Sequence, residues 1–283
     1  MELLSPLPPL IHLLETTIEA HRTRRTPGLK EVSPGAHDIQ AIRDALADKN
    51  VFDVLGLRAE MWGDCSRLRV FRSSDGNHLI LLEKRASPVP ELKKLLELWS
   101  LIFAMFSIKG RPARVIWFAH PLKRSAPRRA ALPPGPESVN GGYCTRGHPD
   151  SIIIYRKEDA TRVLIHELLH ATGADTHAVT PTSKDIPFIE ATTEAWAEVI
   201  YALLIDGREG LQNQISYAVK QNELLIDIYG GDGAGTPAAY IWRYTIGREE
   251  CWKRLGIVPG GAAVQVPHPA DSLCLTARPL PAA

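Results

Sequence analysis

Val163-Leu164-Ile165-His166-Glu167-Leu168-Leu169-His170-Ala171-Thr172-Gly173 decides how this chain is read. Apolar residues fill the run and a glycine ends it, the composition of a buried helix with a stop after its last turn. In a helix, residues i and i+4 lie on one face, a turn apart. His166 and His170 therefore aim two imidazoles at one point. Glu167 stands beside the first, where a carboxylate can take a proton from water held at that point. One rigid element so carries two metal ligands and a general base. Three fixed residues in five positions are modest evidence alone, and the flanking sequence has to supply the rest.

Upstream, Ser151-Ile152-Ile153-Ile154-Tyr155 is a strand rich in β-branched residues. Val139-Asn140-Gly141-Gly142-Tyr143-Cys144-Thr145 is short and β-prone, and pairs with it as a hairpin just before the His helix. Asp159 stands where an N-cap belongs. Arg67–Phe71 and His78–Leu82 flank a turn containing Asp75-Gly76, the signature of an earlier hairpin. In its first strand Leu68 and Val70 alternate with Arg67 and Arg69, the period of a half-buried strand. Glu91 to about Lys109 is a long helix whose apolar run, Leu98 to Ile108, is too short to span a bilayer, and Ala113–Ala119 is a further strand. Downstream come a loop from Asp175 to Pro187, helices over Phe188–Ile205 and Glu209–Ile228, a glycine-rich break, and a last aromatic helix over Pro237–Leu255. The fold class is α+β. A small mixed sheet packs on a backing helix (91–109) and on the His helix, and a mainly helical C-terminal half follows.

The chain has 283 residues and a net charge of +1, so no global field favours nucleic acid or an anionic membrane. Arg22, Arg24 and Arg25 lack interleaved aromatics and read as a solvated loop, as does the Pro/Arg-rich stretch Pro121–Pro136. Four scattered cysteines form no C-x-x-C pair and no disulfide framework. With no signal-peptide pattern at the start, the expectation is an intracellular, cytoplasmic protein.

Two histidines do not make a catalytic zinc site, which takes three protein ligands and one open position. Glu190, Glu194 and Glu198 follow at i, i+4 and i+8, so one helix face offers a carboxylate ligand and, a turn later, a second carboxylate to orient a ligand histidine. Two registers are open: Glu190 binds with Glu194 behind it, or Glu194 binds with Glu198 behind it. His177 competes, because a third histidine can complete a site after the glycine turn, but it lies one residue beyond the usual spacing. Asp175 is displaced by one in the other direction.

His166-Glu167-Leu168-Leu169-His170 followed by Glu194-Ala195-Trp196-Ala197-Glu198 resembles the gluzincin branch of zinc metallopeptidases. Ala195 stands where that branch commonly has glycine. The run from Val139 through Lys157 to the His helix is also similar to uncharacterised zincin-like proteins of large DNA viruses and protists. The resemblance covers about residues 113–255. It favours Glu194 as the third Zn2+ ligand and implies a zincin-like catalytic domain over 67–256, between a mainly helical N-terminal region (1–66) and a poorly ordered Pro/Ala-rich tail (257–283). It also implies peptide-bond hydrolysis through a zinc-bound water, with Glu167 as general base and an edge strand to receive an extended peptide. Gly141, Gly142 and Tyr143 are the substrate-binding candidates, and Tyr240 is the candidate to stabilise the oxyanion. The alternatives are a catalytically silent zincin-like binding or scaffold protein, or a non-peptidase zinc hydrolase.

Overall fold

The structure, a computed structural model, describes residues 9–24, 26–107, 110–127, 133–175, 185–230, 236–237, 239–257 and 272–274. The chain forms two compact units, each assembled from separated segments: a sheet unit, Ala20–Lys123 with Asn140–Ala174, and a helical unit, Met1–Glu19 with Arg124–Val139 and Asp175–Ala283.

The sheet unit holds a six-stranded mixed sheet. In chain order its strands are β1 (Lys30–Val32), β2 (Arg67–Arg72), β3 (His78–Glu83), β4 (Arg114–Phe118), and then β6 (Gly142–Tyr143) and β7 (Ile152–Ile154). Their spatial order is β1-β2-β3-β4-β7-β6. The expected first hairpin forms as β2 against β3, with Val70 opposite Ile80. β3, β4 and β7 run parallel at the centre, and β6 pairs antiparallel to β7, Gly142 opposite Ile154. The central strands are buried on both sides, so they read as continuous apolar runs.

Side chains alternate across a sheet. Val70, Ile80, Leu82, Ile116, Phe118 and Ile153 share a core with Ala41, Ile42 and Ala45 of α2 (Ala36–Ala47) and with Leu57 and Met61 of α3 (Leu57–Asp64). On the other face Trp117 stacks on Trp99 of α4 (Leu92–Met105), centroids 5.0 Å apart. Trp99 Nε1 donates to Thr161 Oγ1 (3.0 Å) on α6 (Ala160–Thr172). The sheet therefore has helices on both faces. The expected backing helix is α4, ending at Met105, and α2 with α3 form a second layer on the other face.

Three local expectations need correction. Val139 belongs to the short helix α5 (Pro136–Val139), so β6 is only Gly142–Tyr143. Asp159 flanks α6 but makes no capping bond; its backbone is left-handed (φ +55°) and its carboxylate meets Arg162 Nε at 3.4 Å. The last helix, expected as continuous, opens with a π-helical turn (Trp242–Ile246) before α8 (Gly247–Arg254). A Cβ on Gly247 would lie 2.8 Å from the Trp242 ring and 2.9 Å from Ala191, so glycine there lets the ring close onto the backbone.

In the helical unit the sequence from 186 to 229 is one helical element, α7 (Ile186–Tyr229), broken at Gly207 (φ 62°, ψ −147°) into the two helices expected. β5 (Ser125–Pro127) pairs with β8 (Ser272–Cys274), and Glu15 of α1 (Pro9–Thr23) takes Arg208 Nη2 at 2.6 Å. Among the described residues no helix is long and apolar enough to cross a membrane. The rest of the 257–283 tail, like His177, lies outside the described residues.

Candidate metal centre

Every residue of α6 from Ala160 to Ala171 is buried, including His166, Glu167 and His170. A helix buried along its length is held by packing, and the packing fixes where these three groups point. Nε2 of His166 and Nε2 of His170 approach to 3.0 Å. Two nitrogens 2.0–2.1 Å from a tetrahedral cation stand about 3.3 Å apart, so the pair already has the geometry of two ligands on one ion. One ligand atom each of His166, His170 and the half-buried Glu190 lie within 4.8 Å of one another. This group could hold a metal ion.

The other carboxylates of the acidic stripe fare differently. Glu194 is buried on the same face of α7 but is not part of that group among the described residues. Glu198, expected as a supporting or alternative ligand, is spent on structure. Its two oxygens accept from Gln214 Nε2 and from Arg248 Nη1, and Arg248 Nη2 donates to Gln221 Oε1 at 2.9 Å. Glu198 is wholly buried and Arg248 nearly so, and burying a carboxylate without such a partner is prohibitively costly.

The glycines of the edge strand are explained by the helix beside them. A Cβ on Gly142 would lie 2.7 Å from both the Ile153 carbonyl and Val163 Cγ1, and 3.4 Å from Glu167 Oε1. One on Gly141 would meet Val163 Cγ2 at 3.0 Å. Only glycine lets this strand run so near α6. Tyr143, the next residue, points to the opposite face. There its hydroxyl accepts from Arg58 Nη1, its ring lies under the guanidinium (5.2 Å), and burial holds the hydroxyl far above its usual pKa. What Tyr143 presents on the α6 side is backbone.

Tyr240 packs its ring against Tyr244, centroids 5.2 Å apart, with Arg243 over it at 5.4 Å. The group that stands among the carboxylates is Tyr244. Burial, the charges of Glu190 and Glu194, and a hydrogen bond with Tyr240 all push its hydroxyl well above the normal tyrosine range. Sequence reading passed over Tyr244 in favour of Tyr240; their i, i+4 spacing marked a shared face but not which of the two faces α7.

The chain matches no protein-family model, no curated protein and no solved structure.

Proposed function

We propose that this protein is a zinc-dependent peptidase whose metal is held by His166, His170 and Glu190. The observation that carries the reading is the convergence of both Nε2 atoms and a carboxylate, with Glu167 adjacent. Two imidazoles and one carboxylate are the donor set of a catalytic zinc with an open position, whereas purely structural sites are closed by four ligands and need no base. When bound, zinc supplies a Lewis acid and lowers the pKa of water at that open position.

The remaining work falls to the chain. Glu167 takes the proton of the attacking water and delivers it to the amine that leaves. Gly142 brings an edge-strand backbone beside Glu167, where an extended peptide adds by main-chain hydrogen bonds. The Glu190 register is supported over Glu194 because Glu190 is the carboxylate within reach of both imidazoles. Tyr244, which hydrogen-bonds Tyr240, lies within the field of that carboxylate.

The test is turnover of a mixed peptide library by zinc-reconstituted protein, compared with Glu167→Gln. Cleavage by the wild type alone, with zinc retained in both proteins, supports the peptidase. Zinc retained in both without cleavage by either leaves a metal-binding protein of another kind.

A further inference from the structure

β6 is two residues long and stands at one end of the sheet with β7 as its neighbour, so its own ladder holds it by few bonds. The Tyr155 N–H donates to the Gly141 carbonyl (2.8 Å), which makes Gly141 and Tyr155 a hydrogen-bonded antiparallel pair, in register with Gly142 opposite Ile154. Such pairs alternate with pairs whose main-chain groups point outward. The N–H and C=O of Gly142 therefore face away from β7, toward the edge of the sheet, where an added strand pairs.

The next residue is anchored from the layer formed by α2 and α3. The Tyr143 hydroxyl accepts from Arg58 Nη1 and hydrogen-bonds the Asp48 side chain, and the guanidinium lies over its ring. Arg58 is itself held on several sides. Its Nε donates to Asp53 Oδ2 (2.9 Å), Nη1 also donates to the Ala45 carbonyl, and Nη2 to the Asp48 carbonyl (3.1 Å). The Asp53 carboxylate in turn accepts from the N–H groups of Leu57 (2.8 Å) and Arg58 (3.1 Å), which fixes the start of α3. Arg58 and Asp53 are both buried, and a rigid planar fork shared among fixed acceptors holds one geometry. The end of α2, the start of α3 and β6 thus meet on one guanidinium, all within the sheet unit. Gly142 and Tyr143 share a planar peptide group, so what fixes the Tyr143 side chain also fixes the Gly142 carbonyl beside it.

We propose that Arg58, acting through the Tyr143 hydroxyl, is a positioning residue that holds the Gly142 main chain in place to receive an extended peptide. The proposal rests on the peptidase reading above. Its test uses the zinc-loaded full chain, wild type and Tyr143→Phe, on a peptide the wild type cleaves and on versions of it N-methylated at one backbone position at a time. Phenylalanine keeps the ring and its packing and removes only the hydroxyl, and Arg58 retains Asp53 and two carbonyls. Tyr143→Phe is expected to lower kcat/KM about tenfold, the worth of one hydrogen bond, through KM with kcat little changed. In the wild type, methylation at the one position that donates to the Gly142 carbonyl is expected to cost a further tenfold or so, and in Tyr143→Phe that penalty is expected to be largely gone. A side chain that served packing alone would lower turnover of all the peptides by one common factor, or of none. Cleavage by both proteins with the same KM, or with the same methylation penalties, overturns this proposal and leaves the peptidase standing. No cleavage of any peptide by the zinc-loaded wild type overturns the peptidase reading and this proposal with it.

Discussion

Glu167 is buried on α6 beside the edge strand, and glutamine matches its side chain in size. Glu167→Gln keeps the shape and loses the base. We expect unchanged zinc content and a loss of peptide turnover of about a hundredfold or more, the scale of general-base catalysis. A second residue-scale expectation concerns His78, whose Nε2 lies 3.0 Å from Asp38 Oδ1. Burial outweighs the Asp38 charge and holds the His78 pKa below 6.5. For Asp38, burial raises the pKa, but the Gly35 N–H, Arg72 and His78 prevail and hold it below 3.8. In both cases the unfolded chain binds protons more readily than the folded one, so stability is full above the unfolded pKa and falls as pH falls through the folded one. Urea midpoints of the wild type should therefore decline below about pH 6.5, and His78→Asn should flatten the upper part of that decline. The histidine pair was legible in the sequence because i, i+4 spacing fixes a shared face whatever surrounds it. The third ligand was not, because Glu190 and Glu194 satisfy the same spacing, and only the packing of α7 tells one turn from the next.

At the scale of elements, β6 and α6 are in such close contact that one methyl group registers. Gly142→Ala places a carbon 2.7 Å from the Ile153 carbonyl. We expect a loss of about 1–3 kcal/mol in urea unfolding, the usual cost of overpacking. The Glu198–Arg248 pair joins α7 to α8 inside the helical unit. Glu198→Ala leaves a buried guanidinium uncompensated and should cost about 3–5 kcal/mol, while the metal-ligating groups stay in place. An intact stability in that variant would return Glu198 to the list of possible ligands. Strands and helices whose periodicity is set by one face, such as β2, β3 and α2, were readable. The π-helical turn at Trp242 was not, because Gly247 there closes onto the Trp242 ring and onto Ala191 of α7, far away in sequence. The direction of the Tyr143 side chain was not readable for a related reason: a strand of two residues sends consecutive side chains to opposite faces, and the one beside α6 is glycine.

At the scale of the molecule, the α+β class was legible because apolar runs of strand length precede longer runs of helical period. The assignment of segments to units was not, since each unit draws on stretches far apart in the chain: residues 124–139 sit in the helical unit and residues 140–174 in the sheet unit. The measurement that tests the account most directly is zinc stoichiometry by elemental mass spectrometry, after reconstitution at neutral pH, for wild type, His166→Ala, Glu190→Ala and Glu194→Ala. The account predicts about one zinc per wild-type chain, lost in His166→Ala, lost or greatly weakened in Glu190→Ala, and retained in Glu194→Ala. A wild-type protein that takes up no zinc would contradict it.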